Sequence, residues 1–180
     1  MSKRIIFVVN DPSFFLSHRL PIALGALEAG YHVRVATADG NGVAAIKDYG
    51  FTHYVLPLSR SGRNPFSEIV SVAALVKLFR RVSPELVHLA TIKPVLYGGL
   101  AARIVGISCV LSAVSGLGTV FVAGLVPAKA RKWLVTRLYA MAFNQKRLTV
   151  IFQNPEDRDT LLAAGALRKD ETRMIRGSGG

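Results

Sequence analysis

Arg4 to Thr37 reads "RIIFVVNDPSFFLSHRLPIALGALEAGYHVRVAT". The apolar, β-branched run from Arg4 to Asn10 suits a strand buried on both faces. In "SHRLPIALGALEAG", Leu20, Ala23, Leu24 and Leu27 recur at helical spacing, Pro21 fits a first turn, and Gly30 reads as the helix stop. "YHVRVAT" then alternates as a second strand. A strand, a crossover helix and a strand make a βαβ unit, which implies a parallel sheet. Asn10 to Arg19 reads as the intervening loop, with Ser17 as N-cap of the helix. That loop has no glycine and ends instead in Ser17, His18 and Arg19.

The same alternation continues outward. "VAAIKDYG" is a short helix ending at Gly50, and "THYVLPL" a third strand. "SRSGRNP" is a basic, turn-rich loop. "FSEIVSVAALVKLFRRV" is a helix, with Phe66, Ile69, Val70, Ala73, Val76 and Leu78 expected toward the core. "ELVHLAT" is the fourth strand, "VLYGGLAARIVG" the helix after Pro94, and "SCVLSAV" the fifth strand. "PAKARKWLVTRLYAMAFNQ" is a long helix, "RLTVIFQN" a sixth strand, "PEDRDTLLAAG" a helix opened by Pro155, and "ETRMIRG" a candidate seventh strand. The expected fold is α/β, a Rossmann-like open parallel sheet of about six or seven strands with helices on both faces. It is expected as one domain over residues 1–180.

Lys and Arg number 23 against 11 Asp and Glu, a formal charge of +12. Such a surface favours anionic partners: nucleic acid, acidic lipid or a phosphorylated substrate. Cys109 is the only cysteine, which excludes an intramolecular disulfide and a cysteine-rich metal site. No two histidines share metal-ligand spacing, so no metal or cofactor is expected. "MSKRIIFVVN" lacks a secretory layout, and a cytoplasmic protein is expected. Ile104 to Ala128 is uncharged and long enough to span a bilayer. Its glycines and serines, and its register with a strand and loop, favour peripheral contact instead. "GTVFVAGLV" and the following helix, with Trp133, Tyr139, Arg131 and Arg137, suit an anionic interface. A helix packed on the sheet with a solvated basic face reads equally well.

In open parallel sheets ligands lie beyond the carboxyl ends of the strands. Arg19 at a helix N-terminus opposes the dipole, a cost that a bound anion offsets; a plain Ser17 cap explains the same residues. Thr91 and Lys93 end the fourth strand, and Lys93 is expected to project into the crevice as a compact phosphate donor. His88, inside that strand, is either a hydrogen-bonded core residue or a base. Ser115, Gly116 and Gly118 expose backbone N–H groups after the fifth strand. Asn154 reads as an N-cap at the same rim. Arg176, Gly177 and Ser178 follow the last strand, as site or as linker.

Taken in order, "FFLSHRLPIALGALEAGYHVRVAT", "ELVHLATIKPVLYGGLAAR", "SAVSGLGTVF", "VIFQNPEDR" and "IRGSG" resemble the N-terminal domain of family 4 glycosyltransferases of the GT-B fold, of the bacterial type that builds lipid-linked polysaccharide (capsule or O-antigen). The resemblance implies an acceptor-binding domain that faces a donor-binding one, and sugar transfer with retention from a nucleotide-sugar to a polyprenyl-diphosphate acceptor at the inner leaflet of an anionic membrane. It implies acceptor or phosphate contacts from Ser17, His18, Arg19, Thr91, Lys93, Ser115, Gly116, Asn154, Arg176, Gly177 and Ser178. The catalytic group stays open, with His18 and His88 as candidates. The chain departs from the family pattern in its glycine-free first loop and in "HLA", where Ala90 replaces a second histidine. The donor-binding glutamate pair is absent, so the chain is expected to be a half or fragment, inactive alone. Two other classes compete: a basic nucleic-acid-binding module, though no such motif is visible, and an NAD-type fragment, which lacks GxGxxG and has only Asp39 near the second strand's end.

Overall fold

The computed structural model describes residues 3–58, 65–117 and 128–175. Seven strands form one sheet: β1 (Arg4–Val8), β2 (His32–Thr37), β3 (Thr52–Val55), β4 (Leu86–Ala90), β5 (Cys109–Val114), β6 (Leu148–Phe152) and β7 (Thr172–Met174). Their order is β3-β2-β1-β4-β5-β6-β7, and every pairing is parallel. The chain winds outward one way from β1 to β3, then crosses back to place β4 beside β1. That reversal opens a crevice at the carboxyl ends of β1 and β4. The expected fold class is the observed one.

Successive side chains of β1 feed two cores, as strand geometry requires. Ile5, Phe7 and Val9 join Phe15, Ala23, Val33, Val35, Ile46 and Phe51 beneath three helices, α1 (Pro12–His18), α2 (Leu20–Glu28) and α3 (Val43–Asp48). Ile6 and Val8 join the larger core on the opposite face. Residues from α4 (Pro65–Val82), α5 (Gly99–Val105), α6 (Ala128–Phe143) and α7 (Pro155–Ala163) complete that core, Leu75, Phe79, Tyr139 and Leu161 among them. A π-helical turn, Pro94–Gly98, leads into α5. A Cβ at Gly98 would lie 2.6 Å from Leu89 Cδ2, and one at Gly99 would lie 2.7 Å from the Ala142 carbonyl. The two glycines let this segment press against both the sheet and α6.

Two expectations are corrected. Residues 12–18 are not loop: Asp11 caps a helix there, its Oδ1 accepting from the N–H groups of Ser13 and Phe14 at 2.9 and 3.1 Å, with Pro12 at the first position. Ser17 is therefore no N-cap; its hydroxyl donates back to the Ser13 carbonyl at 2.8 Å. On α4 the core stripe is Ser71, Leu75, Leu78, Phe79 and Val82, while Ile69, Val70 and Ala73 face outward. Ser71 can be buried because its hydroxyl donates to the Pro57 carbonyl at 2.6 Å. The side chain of Phe66 lies outside the described residues. As its register with a strand and loop implies, Ile104 to Ala128 is no single rod: α5 ends at Val105, Gly106 turns with φ 79°, and Cys109–Val114 is a strand. Among the described residues no helix is long and apolar enough to cross a membrane.

The two stripes of α4 respond differently to truncation. Leu75→Ala, at a site with 0% exposure, is expected to lower unfolding free energy by about 2–5 kcal/mol. Ile69→Ala, at 66% exposure, is expected to change it by less than about 0.5 kcal/mol. Urea denaturation of both variants measures the contrast, and equal losses would contradict this packing.

Candidate functional site: the carboxyl rim at the strand reversal

Arg19 closes α1 and opens α2, serving as C-cap of one and N-cap of the other. The carbonyl end of α1 therefore meets the guanidinium, whose Nη1 donates to the His18 carbonyl at 3.1 Å. This removes the electrostatic penalty expected for an arginine at a helix start. The side chain lies over the Phe14 ring at 5.8 Å, and burial alone lowers its pKa. Its Nε is buried and meets no protein partner among the described residues.

His88 stands in β4 opposite Phe7 of β1, ring centroids 5.0 Å apart and edge to face. It is 1% exposed, and neither ring nitrogen has a protein hydrogen-bond partner among the described residues. His88 is thus a core residue, and among the described residues no protein group hydrogen-bonds to its ring. Burial, and then the charge of Arg19, push its pKa down to about 3. Arg19, His88 and Ser115 line one pocket of about 110 Å³, together with Ile22, Ile151 and Gln153. Two more buried polar atoms at the reversal, Asn10 Oδ1 and Thr91 Oγ1, also meet no protein partner among the described residues. Thr91 holds φ at 74°, a strained value for a β-branched residue, as β4 gives way to the π-helical turn.

The remaining predicted residues divide. His18 is exposed, stacked on Phe14 with centroids 4.2 Å apart, and its Nδ1 is 2.7 Å from the Ser17 hydroxyl. It does not line the Arg19 pocket. Lys93 does not enter the crevice as expected. It is 6% exposed, and its Nζ donates to Glu68 Oε1 at 2.8 Å, on the α4 side of the sheet. The same carboxylate accepts from Tyr97, whose pKa rises through burial and through Glu68. Gly116 has φ 140°, and its carbonyl accepts from the Tyr139 hydroxyl at 3.5 Å. Asn154 caps α7, accepting from the Glu156 N–H at 2.8 Å. Gly118, Arg176, Gly177 and Ser178 lie outside the described residues. Glu68 was missed: an acid in a first helical turn reads only as a dipole partner. Helix α1 was missed too, although Asp followed by Pro is a start signal. Among the described residues no cluster of three His, Cys, Asp or Glu could hold a metal ion.

A parallel sheet whose strand order reverses once at β1 and β4 defines an open, doubly wound α/β fold. The comparisons narrow the class: the chain belongs to the glycosyl transferase 4-like family, whose model matches residues 4–154. It is similar to MurG from Acinetobacter baumannii, at 18% identity and TM-score 0.60, covering 99% of this chain and 46% of that one. HepE from Anabaena, solved with UDP and glucose, matches at 15% identity and TM-score 0.60, over 96% of this chain and 44% of that one. UDP-GlcNAc 2-epimerase from Methanocaldococcus jannaschii matches at 14% identity and TM-score 0.62, over 97% and 45%. At these identities the likeness is one of fold, the Rossmann-like half of the GT-B architecture. The chain spans less than half the length of each of these structures. No curated protein sequence matches it.

Two measurements probe this geometry. The folded state keeps His88 neutral, whereas the unfolded chain protonates it near its ordinary pKa of about 6.5. His88 therefore carries no penalty above about pH 6.5, and stability falls by about 1.4 kcal/mol per pH unit below it, toward pH 3. Urea denaturation at several pH values is expected to show a shallower acid slope for His88→Gln; identical slopes would contradict the buried neutral ring. Glu68→Ala leaves the Lys93 ammonium buried without its carboxylate and is expected to cost about 3–5 kcal/mol, read from the same denaturation curves.

Proposed function

We propose that this chain is the acceptor-side half of a retaining glycosyltransferase that moves a sugar from a nucleotide-sugar to a glycan carried on polyprenyl diphosphate, in the assembly of cell-surface polysaccharide such as capsule or O-antigen. The observation that carries the reading is the family match over residues 4–154, on a sheet whose carboxyl rim gathers Arg19, His88 and Ser115. In this division of labour the rim positions the acceptor, and a second domain beyond these 180 residues delivers the donor. Arg19 offers a fixed positive charge to an anionic acceptor, and Ser115 a hydroxyl beside it.

The helical layer on the far side of the sheet supports contact with the inner leaflet. On α6, Trp133, Arg137 and Met141 follow one another at helical spacing and are exposed, Trp133 by 62%. The Arg137 guanidinium lies 5.7 Å from the Trp133 ring. On the same face of the sheet, α4 and α5 flank a groove of about 700 Å³ whose lining includes Ile69, Val76, Leu100 and Ile104 together with Lys77, Arg80 and Glu68. Apolar and aromatic groups ringed by cations fit a headgroup boundary. The expected apolar contact through "GTVFVAGLV" lies outside the described residues.

Co-sedimentation with phosphatidylglycerol vesicles, with and without a polyprenyl-diphosphate-linked sugar, tests the reading. The glycolipid is expected to raise binding, and Arg137→Gln to weaken attachment about fivefold, the effect of about 1 kcal/mol per basic residue. Equal binding to both vesicle types would overturn acceptor recognition. Turnover of a nucleotide-sugar by this chain alone would overturn the half-enzyme reading.

A further inference from the structure

An all-parallel sheet has two faces to bury, and here one of them is covered over only part of its width. On the α4–α7 side the sheet is closed: Val110, Ser112 and Val114 of β5 and Leu148, Val150 and Phe152 of β6 are buried. On the other side α2 packs on β2 and α3 on β3. The strand residues buried beneath that layer come from β1 and β2, with Ala90 and Ala113 at the ends of β4 and β5; among the described residues none comes from β6 or β7. Leu111, Thr149 and Ile151 are only half-buried there, Ile175 is 54% exposed, and α2 presents Ile22 beside them at 49%. The apolar members of this strip belong to neither core. Its amino half is a hollow of about 530 Å³ whose lining includes Leu86, Cys109, Leu111 and Thr149.

Cations border the strip. Lys146, Arg147 and Arg168 line the hollow, and Arg173 stands opposite Ile151 in β7. Asp170 and Glu171 are both paired with Arg168, so among the described residues no carboxylate pairs with Lys146, Arg147 or Arg173. We propose that this strip seats an α-helix from outside these 180 residues, apolar along one stripe and acidic along its flanks. The dimensions fit one helix. Three strands at about 4.8 Å spacing span roughly 10–14 Å, against roughly 10–12 Å for a helix with its side chains. The 6 residues of β5 run about 20 Å, the length of about 13 helical residues. Lying antiparallel to the strands, such a helix brings the negative end of its dipole to Lys146 and Arg147. A second copy of this chain would bring no unpaired carboxylate on this face to meet those cations.

A synthetic helix of about 18 residues, with a leucine stripe and glutamate flanks, tests the proposal by titration into the ¹⁵N-labelled chain. Saturable amide shifts are expected along β5, β6 and β7. Ile175→Glu, at an exposed position, is expected to weaken binding about tenfold or more by setting a charge against the apolar stripe. Lys146→Glu combined with Arg147→Glu is expected to weaken it about tenfold, and the same peptide with lysine flanks to bind more weakly than the glutamate form. Circular dichroism checks that both variants fold. No saturable shift, shifts centred on α4 and α5, or equal binding of the lysine-flanked peptide would overturn the proposal. So would a dimer in analytical ultracentrifugation that Ile175→Glu dissolves, since it assigns the strip to a second copy. Sugar transfer does not enter, and glycolipid-dependent vesicle binding tests the transferase reading separately.

Discussion

Burial of β1 on both faces is the constraint from which the rest follows. Ile6, Phe7, Val8 and Val9 have no solvent exposure, and their side chains alternate into two separate cores. A strand so placed needs a hydrogen-bonded neighbour on each edge, supplied by β2 and β4. It also needs a helical layer on each face. Because β2 and β4 lie on opposite sides, the chain must reverse its direction of winding once. The reversal leaves a gap between the loops that leave β1 and β4, and the unpaired polar atoms of Asn10, His88 and Thr91 collect there. Structure and site thus share one cause.

The two histidines first set beside each other illustrate how burial sorts chemistry. His18 is exposed and satisfied locally by Ser17 and Phe14. His88 is enclosed and unsatisfied, with Arg19 its charged neighbour. A neutral imidazole thus sits beside a guanidinium in a cavity whose lining includes no carboxylate among the described residues. Lys93 shows the opposite outcome. Its charge is already neutralised by Glu68, so it braces α4 against the π-helical turn and does not serve the crevice.

The surface repeats this division. Among the described residues, part of the basic excess sits on the α4–α5–α6 layer beside exposed Ile69, Ile104 and Trp133. The rim pocket at one end of the strands and the apolar, cationic face along the helices are the two surfaces on which the proposed acceptor reading rests.

The sequence alone determined the sheet and its neighbours: β-branched runs, helical periodicity, and stops such as Gly30 and Gly50 mark elements through local backbone chemistry. It also placed Arg19 and Ser115 at one rim, where they line one pocket, because alternation of strands and helices dictates which loops lie at the carboxyl ends. It could not tell which side of α4 is buried, since Ile69 and Val70 are as apolar as Leu75 and Phe79, and only docking against the sheet chooses between them. Nor could it give Lys93 to Glu68, 25 residues away, or leave His88 without a partner. Those outcomes depend on which groups three-dimensional packing brings within hydrogen-bond reach, a distance that linear spacing does not encode.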